Sequence, residues 1–228
     1  MTDRVIEVEQ DILAKNDALA RDLRERFARA GVYAINLLSS PGSGKTTLLE
    51  ETLRRMQARH RVAALVGDQA TDNDATRLAR SGAPVRQIST GAECRLDALM
   101  VEKALAGWNI ADLDLLCIEN VGNLICPAEY DLAEDLRVVL FSVTEGEDKP
   151  LKYPLAFHTS HLALITKIDL AGAVEFDHAA ARANIMQVHP GLPIVEVSAR
   201  NGDGMERWLE RLDEGMRNKR LAHASAAV

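Results

Sequence analysis

The residues with the plainest chemical meaning are Ser39-Ser-Pro-Gly-Ser-Gly-Lys-Thr46. Their spacing is that of the phosphate-binding pattern G-x-x-x-x-G-K-[ST], with Ser39 in place of the first glycine. Gly42 and Gly44 let the backbone wrap, so that N–H groups between Pro41 and Lys45, Ser43 among them, point at phosphate oxygens. Lys45 then reaches the β- and γ-phosphates, and the Thr46 hydroxyl ligates Mg²⁺. An apolar run before the loop reads as a strand. Leu48, Leu49 and Leu53 after it read as a helix, whose positive N-terminal end adds to the anion site. That context separates the motif from an ordinary glycine-rich turn.

Further along, the apolar run His161-Leu-Ala-Leu-Ile165 leads into Thr166-Lys-Ile-Asp169, which resembles the guanine motif [N/T]-K-x-D. A carboxylate at Asp169 accepts both N1–H and the exocyclic N2–H₂ of guanine, while the Lys167 stem lies along one face of the base. Adenine has no donor at N1 and would leave a buried carboxylate unpaired, so such a site discriminates strongly. Ser198-Ala199-Arg200 resembles the S-A-[K/R] loop that touches the guanine carbonyl through a backbone N–H. All these motifs fall at strand C-terminal ends, where an open α/β sheet binds its ligands.

Glu119-Asn-Val-Gly122 sits where many GTPases have D-x-x-G. The acid faces Mg²⁺, directly or through water, and the Gly122 N–H senses the γ-phosphate. Asp68, or Asp72 in Thr71-Asp-Asn-Asp74, holds Mg²⁺ or its waters; the simpler reading is that Asp72 or Asn73 caps the next helix. Asn123 rather than glutamine follows Gly122, and no arginine finger is evident, with Arg77, Arg86 and Arg95 as the remaining candidates. Intrinsic hydrolysis is therefore expected to be slow, near that of unassisted small GTPases. Two thiols complete the inventory. Cys94 reads as opening a helix, which lowers a thiol's pKa, and Cys126-Pro127 follows the γ-phosphate sensor. Cys117 reads as inert core. From the residues alone, Cys94 and Cys126 are either metal ligands or ordinary half-buried cysteines.

The elements that must position these groups alternate. Apolar runs at 33–38, 62–66, 84–88, 113–118, 137–143, 162–166 and 193–197 read as strands, with helical patterns near 45–59, 72–80, 94–106, 175–188 and 203–218. The fold expected is α/β: a P-loop NTPase whose mostly parallel sheet of about seven strands is flanked by helices. Residues 1–30 read as an amphipathic helical extension, with Val5, Val8, Ile12, Leu19, Leu23 and Phe27 on one face, packed on the core or on a partner. The GTPase domain then spans 31–218, and 219–228 reads as a frayed, Ala-rich tail. The 228 residues carry a formal net charge of −7, which argues against gripping nucleic acid or an anionic membrane. Aromatic residues are 4%, too few for base-stacking platforms. There is no long apolar span, no secretory pattern and no disulfide framework, so a cytoplasmic location is expected.

Together these segments resemble the HypB family, the GTPases that help deliver nickel to [NiFe]-hydrogenase. The resemblance rests on Ser39–Thr47, Gly67-Asp68, Thr71–Asp74, Thr90-Gly91 with Cys94 and Leu96-Asp97, and Glu119–Pro127. Phe141-Ser-Val-Thr-Glu-Gly-Glu-Asp-Lys-Pro-Leu-Lys-Tyr-Pro154 and Thr166–Asp169 extend it, over roughly residues 30 to 210. Ser39 fits that family. The resemblance implies a nucleotide site of Pro41–Thr47, Gly122, Thr166, Lys167, Asp169 and Ser198–Arg200, with Lys45, Asp68, Asp72 and Glu119 serving hydrolysis. It also implies a GTP-dependent homodimer that binds Ni²⁺ or Zn²⁺ at its interface, with Cys94 and Cys126 as ligands. Its partners would be other hydrogenase maturation proteins and the hydrogenase large subunit.

Two departures bear on this. Arg95 stands where the family has histidine, and a guanidinium does not ligate metal. A dimer would then offer four thiolates, a usual zinc set, or a site that has weakened or been lost. Residues 1–30 also lack the His- or Cys-rich stretch that stores nickel in many relatives. The competing readings are a nucleotide-gated interaction module without a working metal site, and a urease accessory GTPase. The latter family has Cys-Pro-His, whereas Ala128 follows Cys126-Pro127 here.

Overall fold

The computed structural model describes residues 2–68 and 73–226. Helix α1, Thr2–Ala30, contains neither glycine nor proline and stops where Gly31 takes a left-handed φ of 68°. Strands and helices then alternate: β1 Tyr33–Ser39, α2 Lys45–Met56, β2 Val62–Asp68, α3 Asn73–Ala79, β3 Val85–Ser89, α4 Ala98–Ala104, β4 Leu115–Gly122, α5 Cys126–Glu129 and β5 Leu136–Ser142. They continue with α6 Lys149–Lys152, α7 Pro154–His158, β6 Leu162–Thr166, α8 His178–Val188, β7 Ile194–Val197 and α9 Met205–Ala226.

Among the described residues, the strands form one sheet in the order β3-β2-β4-β1-β5-β6-β7, and every pairing is parallel. Alternate residues of β1 feed opposite cores. Ile35 and Leu37 pack with α2, α3 and α9 through Leu53, Leu78 and Trp208. On the other face Ala34 packs with α1 and α4 through Phe27 and Val101, and Leu38 with α7 and α8 through Phe157 and Ile185. A sheet covered on both faces needs strands that are apolar throughout, and β1 is buried at every position.

The second half of α1 docks on this core. Ala20, Leu23 and Phe27 are buried. Asn16 donates to the Asp131 carbonyl at 2.9 Å and accepts from the Ala98 amide at 2.9 Å, so α1 helps cap α4. Arg24 pairs with Asp131 at 2.6 Å. Ile12, on the predicted apolar face, is instead exposed, and the side chains of Val5 and Val8 lie outside the described residues.

Three boundaries depart furthest from the pattern. Helix α4 begins at Ala98, not near residue 94, because the Asp97 side chain accepts from the Met100 amide and caps it there. Strand β4 continues through Glu119-Asn-Val-Gly122 instead of ending at residue 118. It pairs Leu37 with Glu119 and then Ser39 with Gly122, so Asn120 and Val121 together oppose Leu38 in a β-bulge. Helix α9 runs on to Ala226 where a frayed tail is predicted from residue 219. Its last turns are pinned by Lys219 to Asp135 at 2.6 Å and Arg220 to Asp114 at 3.0 Å.

Candidate functional site

The loop between β1 and α2 is a cradle. Gly42 and Gly44 have φ of 77° and 94°, a left-handed region that side chains rarely adopt. Lys45 opens α2 and is nearly fully buried; its Nζ donates to Ser39 Oγ at 2.8 Å. The serine at the first-glycine position is thus a partner of the lysine. Burial lowers the Lys45 pKa, against the pull of Glu119, Asp74 and Glu145. A cavity of about 510 Å³ opens over the loop, bounded by residues 41–47, Asp68, Glu119 and Gly122.

Thr46 Oγ1 donates to Glu119 Oε1 at 2.7 Å, so the longer glutamate still reaches the threonine. Glu119 Oε2 is buried without a partner. Burial pushes the Glu119 pKa up to about 7, opposed chiefly by Lys45. A threonine hydroxyl beside an orphaned carboxylate oxygen is a hard oxygen donor set of the kind Mg²⁺ takes. Asp68 ends β2 on the same cavity, whereas Thr71 and Asp72 lie outside the described residues.

The three candidate arginines part company. Arg77 borders the phosphate cavity, held to Glu50 at 2.6 Å and donating to Thr47 Oγ1 at 3.0 Å. Arg86 donates to the carbonyls of Ala104 and Ala106 and lies over Trp108. Arg95 pairs with Glu93 at 2.6 Å and lies 3.9 Å from the Tyr130 ring centroid.

Beyond the loop a second cavity of about 280 Å³ is walled by Thr166, Lys167, Asp169, Leu170 and Ser198–Arg200. Ser198 Oγ donates to Asp169 Oδ1 at 2.6 Å, so the two distant base motifs meet. Thr166 Oγ1 donates to the Ser43 carbonyl at 2.5 Å, and Lys167 Nζ to the Gly42 carbonyl at 2.6 Å. The base segment therefore clasps the phosphate loop, with Lys167 bordering both cavities. Glu145 braces the loop from the other side: its Oε2 accepts from Ser43 Oγ at 2.6 Å and from the Ser142 amide at 2.8 Å. Burial pushes the Glu145 pKa up, but those bonds and Lys149 outweigh it and hold the pKa below its ordinary value. Sequence reasoning assigned Glu145 no role. Its legible signal is Ser142 followed three residues later by an acid, a capping box.

The two thiols also meet: Cys94 Sγ lies 2.6 Å from Cys126 Sγ. Cys94 sits in a bend ahead of α4 and does not open a helix as the sequence pattern predicts. It is Cys126 that opens a helical turn, α5, with Pro127 behind it. The Cys126 pKa is nonetheless raised, first by its contact with Cys94 and then by burial. Asn123 donates to the Cys94 carbonyl at 3.4 Å and accepts from the Ile125 amide at 2.9 Å, tying the thiol segments together. Soft thiolates suit nickel or zinc. Among the described residues no three His, Cys, Asp or Glu side chains group to hold a metal ion, and the two thiols there stand as a pair. Cys117 is fully buried, and burial pushes its thiol pKa up, as expected of inert core. The histidines at 60, 178 and 161 are engaged with Asp213, Glu196 and the Arg137 amide respectively.

Comparison with known proteins finds similarity over most of the chain. A family model described as the nucleotide-binding domain of CobW/HypB/UreG matches residues 33–196. Hydrogenase maturation factor HypB of Azotobacter vinelandii is 49% identical over 218 residues, covering 96% of this chain and 72% of that protein. The crystal structure of HypB from Archaeoglobus fulgidus superposes with a TM-score of 0.83 at 41% identity, covering 90% of this chain and 100% of that one. HypB from Helicobacter pylori, solved in complex with nickel, gives a TM-score of 0.84 at 38% identity, with 90% and 96% covered.

Proposed function

The chain belongs to the HypB family of hydrogenase maturation factors, and from that premise we propose that it is a GTP-driven nickel chaperone. It binds GTP, hydrolyses it slowly with Mg²⁺, and uses the cycle to insert nickel during [NiFe]-hydrogenase maturation. The observation that carries this reading is the thiol pair, 2.6 Å apart, with Cys126 on the segment that leaves the Gly122 end of the phosphate cavity.

Each residue has a part. Lys45 and the amides of residues 42–46 neutralise the phosphates. Thr46 and Glu119 would hold Mg²⁺, with Asp68 or Asp72 holding the ion or its waters, and the ion would supply positive charge to the phosphates. Asp169, oriented by Ser198, accepts from N1–H and N2–H₂ of guanine, and a backbone N–H of the Ala199-Arg200 turn meets the guanine carbonyl. Asn123 follows Gly122, but its amide is spent on Cys94 and Ile125, and Arg77 is paired with Glu50. Neither is poised to orient water or stabilise the transition state, which supports a slow intrinsic rate. Purified protein alone should turn over far below one GTP per second, and several per second would refute this.

Nickel is the cargo. Two thiols are too few for a stable site, so a second copy, joined in the GTP-bound state, supplies two more. Zinc is an alternative occupant of such a four-thiolate set. Arg95, stacked on Tyr130, takes no part. Other maturation proteins and the hydrogenase large subunit would be partners, in the cytoplasm. The urease accessory reading is set aside, because the relatives reported above are hydrogenase factors and Ala128 follows Cys126-Pro127. The test is titration of nickel and zinc into wild type and Cys94→Ala, with GDP and with a non-hydrolysable GTP analogue, while light scattering follows mass. Thiol-dependent binding and a doubled mass with the analogue are expected. Binding that is indifferent to Cys94 would leave only a nucleotide-gated interaction module.

A further inference from the structure

Between the magnesium acid Glu119 and the phosphate sensor Gly122 lies the β-bulge, and its first residue is an asparagine with almost no exposure. Asn120 Oδ1 accepts two amides: Val121 N at 3.0 Å, within the bulge, and Leu96 N at 3.1 Å, two residues from Cys94. Asn120 Nδ2 donates to Asn36 Oδ1 at 3.3 Å on β1, and Asn36 Nδ2 donates to Glu134 Oε1 at 3.3 Å. Arg137 Nε donates to the same Glu134 oxygen at 2.6 Å. The other Arg137 nitrogens donate to the carbonyls of Ala128 at 2.9 Å and Tyr130 at 2.8 Å, just past Cys126. Asn36, Asn120, Glu134 and Arg137 are all buried.

One polar chain thus starts at the bulge and ends on both thiol segments. Leu96 is wedged as well: a Cβ on Gly67, next to Asp68, would lie 2.8 Å from Leu96 Cγ. The thiol turn is therefore fixed to both strand ends that border the phosphate cavity. Resting on the reading of a nucleotide-coupled thiol site, we propose that Asn120 is the positioning residue that reports the nucleotide's state to Cys94 and Cys126. A γ-phosphate accepting from the Gly122 N–H draws on the end of β4. The bulge is the part of the strand with freedom to adjust, since its extra residue is outside the ladder. Any shift of the Asn120 side chain carries the Leu96 amide with it, because an unpaired N–H in the interior is strongly disfavoured. Through Asn36, Glu134 and Arg137 the same shift reaches the segment after Cys126.

The test uses reduced, metal-free protein with saturating GDP or a non-hydrolysable GTP analogue. The rate of maleimide labelling of Cys94 and Cys126 is followed by mass spectrometry, with buried Cys117 as the internal silent thiol. Coupled sites differ by about 5- to 150-fold between states, so a labelling ratio in that range is expected for wild type. In Asn120→Ala, and in Asn36→Ala, that ratio should fall below about twofold. Amide exchange of the segment around Leu96 in the unaltered protein should differ between the two nucleotides, and this measurement stands even if neither variant folds. A wild-type ratio retained in both variants, or no nucleotide dependence of labelling and exchange in wild type, overturns the proposal. Nickel titration in parallel separates the two ideas: nucleotide-dependent labelling without nickel binding refutes the metal cargo and leaves the Asn120 role standing.

Discussion

Glu119 is a carboxylate in a place hostile to its charge, and that has a pH signature. Its folded pKa is raised from 4.5 to about 7 by burial. Between those values the folded protein holds a proton that the unfolded chain has released. Metal-free stability therefore falls as pH rises through this window, by at most about 3 kcal/mol. Glu119→Gln should abolish that fall and be more stable than wild type above about pH 8 without Mg²⁺; it should also lose the tightening of GTP binding by Mg²⁺. Thermal denaturation across pH checks the first, and nucleotide titration with and without Mg²⁺ the second. An unchanged pH slope in the variant would show that Glu119 is not the titrating group. Asp169 offers the matching test at the base. Asp169→Asn replaces a charged acceptor with an amide and should weaken GTP by roughly 10- to 200-fold, the worth of a hydrogen bond to a charged group. It should regain affinity for xanthosine triphosphate, whose C2 carbonyl accepts from the new amide. Competition against a fluorescent GTP analogue decides this; full GTP affinity in the variant would remove Asp169 from the site. That Lys45, Glu119 and Asp169 would line the two cavities was legible in the sequence because each sits in a short fixed spacing. Asn120 was not, since nothing in Glu-Asn-Val-Gly marks which neighbour its amide will meet across the sheet.

The strands stood out at the scale of elements because a doubly covered parallel sheet demands continuous apolar runs, as in Leu162–Thr166. Boundaries were less legible where a side chain or a tertiary contact decides them. Asp97 rather than periodicity starts α4, and ion pairs to Asp114 and Asp135 carry α9 beyond its apolar face. Short turns such as α5 and α6 have too few residues to show a period. For α1 the sequence left open whether it packs on its own domain. Its buried Phe27, joined to the core of β1, β2, β4 and α4, answers that for its second half. Phe27→Ala should cost about 3–5 kcal/mol, the usual loss for a buried aromatic truncated to alanine. Because Asn16 of the same helix caps α4 at Ala98, loosening α1 should also speed labelling of Cys94. Chemical denaturation measures the first effect. A loss below about 1 kcal/mol would mean that α1 is an appendage and not part of the core.

For the whole molecule, the proposed function puts two ligands at one end of one strand. Glu119 and Gly122 of β4 border the nucleotide cavity, and the chain leaving β4 carries Cys126. Two sites on one cooperative body are bound by linkage: if a GTP analogue changes nickel affinity by some factor, nickel must change affinity for the analogue by that same factor. The factor is expected within about 5- to 150-fold. GDP, lacking the γ-phosphate proposed to meet the Gly122 N–H, should show a smaller one. Calorimetric titration of the analogue into apo and nickel-loaded protein, set against nickel titration into free and analogue-loaded protein, closes the cycle. If assembly of two copies intervenes, both factors grow together with protein concentration and stay equal. A factor of about one in both directions would mean that nickel reaches a site uncoupled from the nucleotide. The thiol pair beside the phosphate sensor would then not be where the cargo is held.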